Sequence, residues 1–493
     1  MLIAEFFFIL GMILIPENGI KGLGVLGELA NEMSAYPFML AIGLVFFFAV
    51  VKELSALRTQ PKTRTNGSPI YFILGGILLV TLMSVLMNIS DIAIANFHAR
   101  SGFAKLASST MVLMYGMCLA VATYILVPGK WNTLIIRPIA ISVVLSLLYS
   151  SLEIMAHHGI LSAFYTKIEH FMHSNSNNLT IKWNGKVNLK VAAGWDTRIR
   201  SLCFEPPYFG YYAGLAWPWL IAGVLTNKGL ERRIYAIVLA LFTLLILIAK
   251  ARTGWLMLAA NIATLAALYF IYLPPVRTKY NRQLGMGLIA AGAVLVVCAS
   301  VYYVVDFAHI RDKIISGTSV SNLSRMASQV SAVNMFKDHV LFGVGFGQYG
   351  FHVTQYMPSW GYLSYELRPW LIYPTAPWPS VYSRYARLAA EEGIVGLAGW
   401  IAVWIYMIVI TIKKSRQFLH AHGKLPSMAY PLVVSYVSVL VSGLVYDTFA
   451  SAMIWIPLGL GCAYLNHLNL PRDEGAKVVA LKPARPGLPR KLK

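Results

Sequence analysis

Charge is scarce in this chain. Only 12% of its 493 residues are Asp, Glu, Lys or Arg, and 57% are hydrophobic; a soluble domain carries roughly 25% charged residues. Acid is the scarcer sign, 20 residues against 41 basic ones, so the formal net charge is +21. Cysteine is rarer still. Cys118, Cys298 and Cys462 fall inside apolar blocks and Cys203 stands near a polar loop, a distribution that excludes a disulfide framework and a zinc spacing. The opening residues, MLIAEFFFILGMILIPENGI, lack a basic region and a small-residue cleavage site, so they are expected to form a first span rather than a signal peptide. There is no P-loop, no Ser-His-Asp signature and no internal repeat of the kind that marks many secondary transporters.

What the chain has instead is apolar length. Blocks of roughly 18–22 apolar residues recur, enough to cross about 30 Å of hydrocarbon, and mean hydropathy is +0.62. The expectation is an all-α, polytopic integral membrane protein of about twelve transmembrane helices. They fall near 2–18, 36–52, 69–89, 108–127, 138–156, 209–225, 234–250, 255–273, 284–305, 387–411, 429–446 and 450–468. The basic residues gather in loops on one side: Lys52 to Lys62, Lys130 with Arg137, Lys228 to Arg233, Arg277 to Arg282 and Lys413 to Lys424. With both termini inside, all of these loops are inside as well, as the positive-inside rule requires. This placement excludes nucleic acid as the reason for the charge. The tail, KVVALKPARPGLPRKLK, reads as a cytoplasmic extension lying against anionic membrane lipid.

The chain thereby divides into N-terminal spans (1–156), a first outer loop (157–208), central spans (209–305), a large outer loop (306–385), C-terminal spans (386–468) and the tail (469–493). Loops this long are uncommon unless functional, so any chemistry is expected on the outer face.

Ionisable residues at membrane depth are functional candidates by default. Lys250 and Arg252 sit at the outer end of one span with the next beginning at once. They bind lipid headgroups, or Arg252 holds a substrate phosphate through bidentate hydrogen bonds. In TRIRSLCFEPPYFG, Arg198, Arg200 and Glu205 precede Pro206 and Pro207, which bend the chain ahead of a span. Glu205 could equally be a plain ion-pair partner of one arginine. An amphipathic helix carries Arg325, and Gly343, Gly345 and Gly347 follow it without the strand-turn-helix surroundings of a dinucleotide fingerprint, so they are expected to let backbone pass close to a helix or ligand. Arg384, Arg387 and Glu391 share a helical face and could form a self-contained network. The aromatic residues from Gln348 to Tyr382 form an interfacial belt or a stacking surface for sugar rings. His157, His158, His170 and His173 have no carboxylate constellation beside them, so no metal and no cofactor is expected.

Four segments in order resemble a known family. RSLCFEPPYFG, ARTGWL, LFGVGFGQYG and YARLAAEEGIVGL, from about Arg200 to Leu397, are similar to segments of the O-antigen polymerase and ligase superfamily, integral-membrane glycosyltransferases with a large periplasmic loop late in the chain. Ligases of that superfamily carry His-Asn ahead of the E-x-G segment. Here Tyr382 and Ser383 occupy those positions, and His352 lies out of register, so the polymerase branch is favoured. The resemblance implies an inner-membrane enzyme with a periplasmic active site that polymerises undecaprenyl-diphosphate-linked oligosaccharide units, with a chain-length regulator as a further partner. A ligase is the alternative, and a lipid-linked oligosaccharide flippase the more distant one. On this reading Arg200, Arg252, Arg325 and Arg384 bind the diphosphate without a metal. Glu205, whose pKa desolvation would raise, is the base for the acceptor hydroxyl. Glu391, Gly343, Gly345 and Tyr382 position the acceptor or shape the site.

Overall fold

The computed structural model describes residues 1–19, 23–56, 69–97, 99–172, 181–183, 186–188, 198–272, 320–364, 367–372 and 378–468. Helix α1 spans Leu2–Ile13, and a 3-10 segment, Gly24–Asn31, leads to α2 (Ala35–Ala56) and α3 (Pro69–Met87). A short α4 (Ile89–Ile94) and a two-residue hairpin, β1 (Asn96–Phe97) against β2 (Arg100–Ser101), connect to α5 (Gly102–Leu126). Next come α6 (Arg137–His157), α7 (Ser162–Met172) and an antiparallel pair, β3 (Ile181–Trp183) with β4 (Lys186–Asn188). The centre is built from α8 (Pro206–Thr226), α9 (Gly229–Ile248) and α10 (Arg252–Tyr272). Helices α11 (Val320–Asp338), α12 (Tyr349–Tyr356) and α13 (Leu367–Ile372) precede the long α14 (Arg384–His422), with α15 (Ala429–Ser442) and α16 (Ala452–His467) last. The protein is mostly helical, with two minimal β ladders in its loops.

The packing is that of a membrane protein. Helix α3 turns Phe72, Leu79, Leu82 and Leu86 outward, while its polar Thr81 and Ser84 are buried. In lipid a helix gains nothing by hiding leucine, and polar side chains find partners inside the bundle. Small residues bring axes together: a Cβ on Gly210 of α8 would strike the backbone of Thr253 and Gly254 in the first turn of α10. Helix α8 is the central post. Phe209, Tyr211, Tyr212 and Trp219 are all nearly inaccessible, and α6, α9, α10 and α15 pack around it.

Every predicted span among the described residues falls on a helix, whereas 284–305 lies outside them, as does the tail 469–493. Among the described residues six helices are long and apolar enough to cross a membrane, α2, α3, α5, α6 (with the π turn before it), α10 and α14; the apolar α1 and α15 are shorter. The count of about twelve is therefore not reached on length and apolarity alone. Helix α8 shows why: its tyrosines, glycines and prolines lower its hydropathy because it meets protein, not lipid. The large loop holds more than an aromatic belt. Within it Ala327, Met335, Tyr349, Val353, Met357 and Leu367 make a core of their own, over which α11 packs on α14.

Candidate functional site

A break in a helix organises the site. Gly393 lies inside α14 with φ 66° and ψ −159°, a conformation that interrupts the intrahelical ladder. Backbone polar groups freed at membrane depth must find partners within the protein. The glycine loop supplies them: Val344 N–H donates to the Ala390 carbonyl (2.9 Å) and Gly345 N–H to that of Glu391 (3.0 Å). In return Ile394 N–H donates to the Val340 carbonyl (2.8 Å). Gly343, at φ 66°, lies against the Ala390 and Glu391 carbonyls where a Cβ would collide with them. Ser84 of α3 closes the junction, its hydroxyl within hydrogen-bonding distance of the Phe342 (2.9 Å) and Glu391 (2.8 Å) carbonyls. The third and fourth sequence motifs are thus two halves of one structure.

The first turns of α14, capped by the Ser383 hydroxyl, carry the charges. Arg387 Nε donates to Glu391 Oε2 (3.2 Å), its Nη1 donates to the Asp447 carbonyl (3.1 Å), and its Nη2 lies 3.5 Å from Glu28 Oε1. Lys105 of α5 stands 3.4 Å from the same Glu28 oxygen. Burial alone would raise the Glu28 pKa, but Arg387 and Lys105 overcome it and hold the carboxyl at about 2. Glu391 also accepts from Tyr349 N–H at the start of α12 (3.4 Å), so its carboxylate is fully engaged.

Arg384 lies on the same helix yet has a different environment. It is fully buried, stacked near Trp400 (5.8 Å) and Phe449 (5.9 Å), its Nη atoms donate to the Val439 and Thr448 carbonyls, each at 3.4 Å, and the Tyr211 hydroxyl is a further neighbour. Its Nε is buried with no hydrogen-bond partner. Arg325 of α11 repeats the arrangement: its guanidinium lies 5.3 Å from the centre of the Tyr382 ring and its buried Nε is unpartnered. Tyr446 joins the two neighbourhoods, since Glu205, Arg325 and Glu32 are its electrostatic neighbours and Tyr211 stacks on it at 5.1 Å. Tyr208 donates to Glu32 Oε2 (2.7 Å); burial raises the Glu32 pKa to about 7, against the lowering effect of that bond.

Arg200 sits elsewhere, between two acids, although its buried Nε likewise has no hydrogen-bond partner. Its guanidinium bonds Glu169, which also accepts from Tyr149, and its Nε is 3.9 Å from Glu153 Oε1. Glu153 in turn accepts from the backbone N–H of Arg200 (3.3 Å) and Ser201 (3.0 Å). The ion partners of Arg200 are therefore these two acids. Glu205 is N-cap of α8, and Arg252 opens α10, half-buried, at the same end of that helix pair. Arg198 is exposed.

Among the described residues five non-glycine residues have positive φ, and three stand within two positions of a candidate arginine: Ser201 (58°), Lys250 (52°) and Tyr382 (59°). Such backbone persists only where its surroundings over-determine it. At Tyr382 that support is Asp447, which accepts from Ser380 Oγ (2.9 Å) and Val381 N–H (2.6 Å).

Sequence reasoning passed over Glu28, Glu32, Lys105, Tyr446 and Asp447. The acids carried a usable signal: Glu28 and Glu32 are spaced i,i+4 in an otherwise apolar stretch where acid is rare. Among the described residues no cluster of three His, Cys, Asp or Glu side chains is placed to hold a metal ion.

Residues 237–401 match the family model described as O-antigen ligase, an interval that includes Arg252, Arg325, the glycine loop and the break in α14. The chain is also 24% identical over 277 residues to the teichuronic acid biosynthesis protein TuaE of Bacillus subtilis (strain 168). That match covers 55% of this chain and 53% of the relative, so the chain spans about half the length of the curated relative it matches. Both findings support the O-antigen polymerase/ligase superfamily.

Proposed function

For a chain supported as a relative of the O-antigen polymerase/ligase superfamily, we propose a membrane glycosyltransferase that polymerises undecaprenyl-diphosphate-linked oligosaccharide units into a surface polysaccharide. The observation that carries this reading is the pair Arg384 and Arg325: like Arg200 each has a buried Nε without a hydrogen-bond partner, but they lie against aromatic rings where Arg200 lies between two acids. A buried unsatisfied donor costs roughly 1–3 kcal/mol, more when charged, and an anionic ligand would remove that cost. A diphosphate leaving group has the right oxygens, and guanidinium geometry suits them. Arg252, at the mouth of α10, is the third cation of this reading.

In the proposed reaction a hydroxyl of one lipid-linked unit attacks the anomeric carbon of the other chain. The new glycosidic C–O bond forms as the bond to the diphosphate breaks, Glu205 takes the hydroxyl proton, and the diphosphate leaves with its developing charge on the arginines. Arg200, held by Glu153 and Glu169, anchors the segment that presents Glu205. Tyr382 and the Gly343–Gly345 loop shape the acceptor side, with Glu391 holding the loop to α14. We place the site on the periplasmic face of a bacterial inner membrane, with both termini cytoplasmic, twelve spans and a chain-length regulator beside it.

The family-model description favours a second reading, transfer of finished glycan from undecaprenyl diphosphate to a lipid or protein acceptor. A deletion strain separates the two. Loss of the polymerase leaves single units on the final acceptor, whereas loss of the ligase leaves long chains on undecaprenyl diphosphate. Long chains still attached to the final acceptor in that strain would overturn both.

A further inference from the structure

Helix α7 has one face that the protein covers and one that it leaves bare. Tyr165 and Glu169, one turn apart, are buried, and the Glu169 carboxylate bonds both Tyr149 of α6 and the Arg200 guanidinium. Leu161 and Phe164, at i,i+3 and so on one side of the helix start, are 53% and 55% exposed, and Ile160 just ahead of them is 53% exposed. Half-buried Ile168 continues the row.

The turn into α7 is built to present these side chains. Helix α6 ends in a glycine cap: Gly159, at φ 79°, donates to the Ala156 carbonyl (3.0 Å), and Ile160 N–H donates to that of Met155 (2.9 Å). Leu161 then takes φ 56°, rare for any residue with a Cβ, and its carbonyl accepts from Tyr165 N–H (2.9 Å) to begin α7. Such backbone persists only where its surroundings hold it. The Leu161 side chain is more than half exposed, so packing within the protein does not account for its placement.

Continuity with the lipid-facing surface indicates what covers the bare face. Ile141, Leu145, Leu148 and Met155 of α6 are exposed at helical spacing, as on a side that meets lipid, and the cap bond joins Ile160 to the last of them. The stretch Asn132–His157 has 26 residues. At 1.5 Å per residue it is roughly 39 Å long against about 30 Å of hydrocarbon, so its end stands at the headgroup level. A helix that starts there with a bare apolar row suits the interface, where such a face lies about 5–10 Å into the acyl boundary. Exposed Lys167 stands beside the row, and its long stem can carry the ammonium to lipid phosphates.

We infer that the Ile160, Leu161 and Phe164 face of α7 docks into the lipid leaflet at the C-terminal end of α6, the outer one in the topology proposed above, and that the bilayer thereby holds Glu169 against Arg200. The docking is independent of the proposed reaction; its consequence, that the leaflet helps to position the segment carrying Glu205, rests on that reading.

The test uses full-length protein in nanodiscs of phosphatidylethanolamine and phosphatidylglycerol, with a photoreactive benzophenone amino acid in place of Phe164 or, separately, of Lys167. Irradiation attaches lipid at position 164 and leaves position 167 largely unlabelled, read by mass spectrometry. Phe164→Glu speeds amide exchange at least about tenfold across both α7 and 199–204 while α8 stays protected, and Phe164→Leu keeps the wild-type pattern. Attachment to another protein chain at position 164, equal lipid labelling at the two positions, or unchanged exchange in Phe164→Glu overturns the docking. Labelling decides the matter by itself where Phe164→Glu fails to fold. Faster exchange in α7 alone overturns the hold on Arg200. Normal polymer synthesis by Phe164→Glu, with exchange raised in both segments, overturns the place of Glu205 in the proposed reaction and leaves the docking standing.

Discussion

Arg200 and Arg384 are both buried arginines beside a strained residue, and their environments are opposite. Arg200 has two carboxylates, two tyrosines and a backbone acid clamp around it. Arg384 has aromatic faces, two long contacts to carbonyls and the Tyr211 hydroxyl, with no carboxylate among the described residues. In sequence they look alike, each a cation at the edge of an apolar block. Charge balance separates them, since both leave a buried Nε without a hydrogen-bond partner: a guanidinium paired with carboxylates holds the fold together, and one set among aromatic rings is available to an anionic ligand.

The largest effect that would break this contrast is loss of stability at Arg200. Removing one partner of a buried ion pair costs roughly 3–5 kcal/mol, because the acids are left uncompensated. Arg200→Met is therefore expected to lose most folded protein, measured by monodisperse yield and melting temperature. Adding Glu153→Gln and Glu169→Gln is expected to restore yield and activity together. If the triple variant folds but is inactive, Arg200 does more than hold position.

Next comes Arg384→Ala, expected to lower turnover by roughly 10²–10³-fold, the scale seen when one preorganised donor to a developing negative charge is removed. Its melting temperature should change much less than that of Arg200→Met. A variant with near-normal turnover would transfer the role to Arg325.

A smaller effect tests Glu28 of the 3-10 segment and Glu32, which ends it. Burial raises the Glu32 pKa to about 7, so between the unfolded value near 4.5 and pH 7 the folded state binds more protons and stability falls as pH rises. Glu28, held at about 2, contributes in the opposite sense: its stabilisation is present above 4.5 and is lost as pH falls through 2. Melting temperature from pH 5 to 7 should therefore decline in wild type, decline less steeply in Glu32→Gln, and keep its slope in Glu28→Gln. The smallest effect belongs to exposed Arg198, where Arg198→Ala should stay within about 0.5 kcal/mol of wild type; a larger loss would mean a partner the contrast omits.

Much of the fold was legible because hydrocarbon is an undemanding solvent to read against. A block such as that of α3 is apolar from end to end, and its helix follows within two residues of the expected bounds. Legibility failed where a helix meets protein instead of lipid. Helix α8, rich in tyrosine and glycine, does not count as a span on hydropathy, and α5 begins at Gly102 rather than 108 because a small hairpin feeds it. At the site, the motifs indicated which residues matter and left their partners open. Glu391 and Gly345 are forty-six positions apart, yet their backbone groups bond to each other. Glu28 is hundreds of positions from Arg387, and no spacing rule reaches that far.

The sequence by itself determined a helical membrane protein with scarce charge concentrated at the loop ends of its spans, because a charge in hydrocarbon is expensive wherever the chain goes. Only the tertiary structure decided which of those charges are spent on one another. Glu153 and Glu169 converge on Arg200 from α6 and α7, while no described acid reaches Arg384. Whether a buried cation is neutralised depends on distances of a few ångströms between distant segments, and the linear order of residues does not carry those distances.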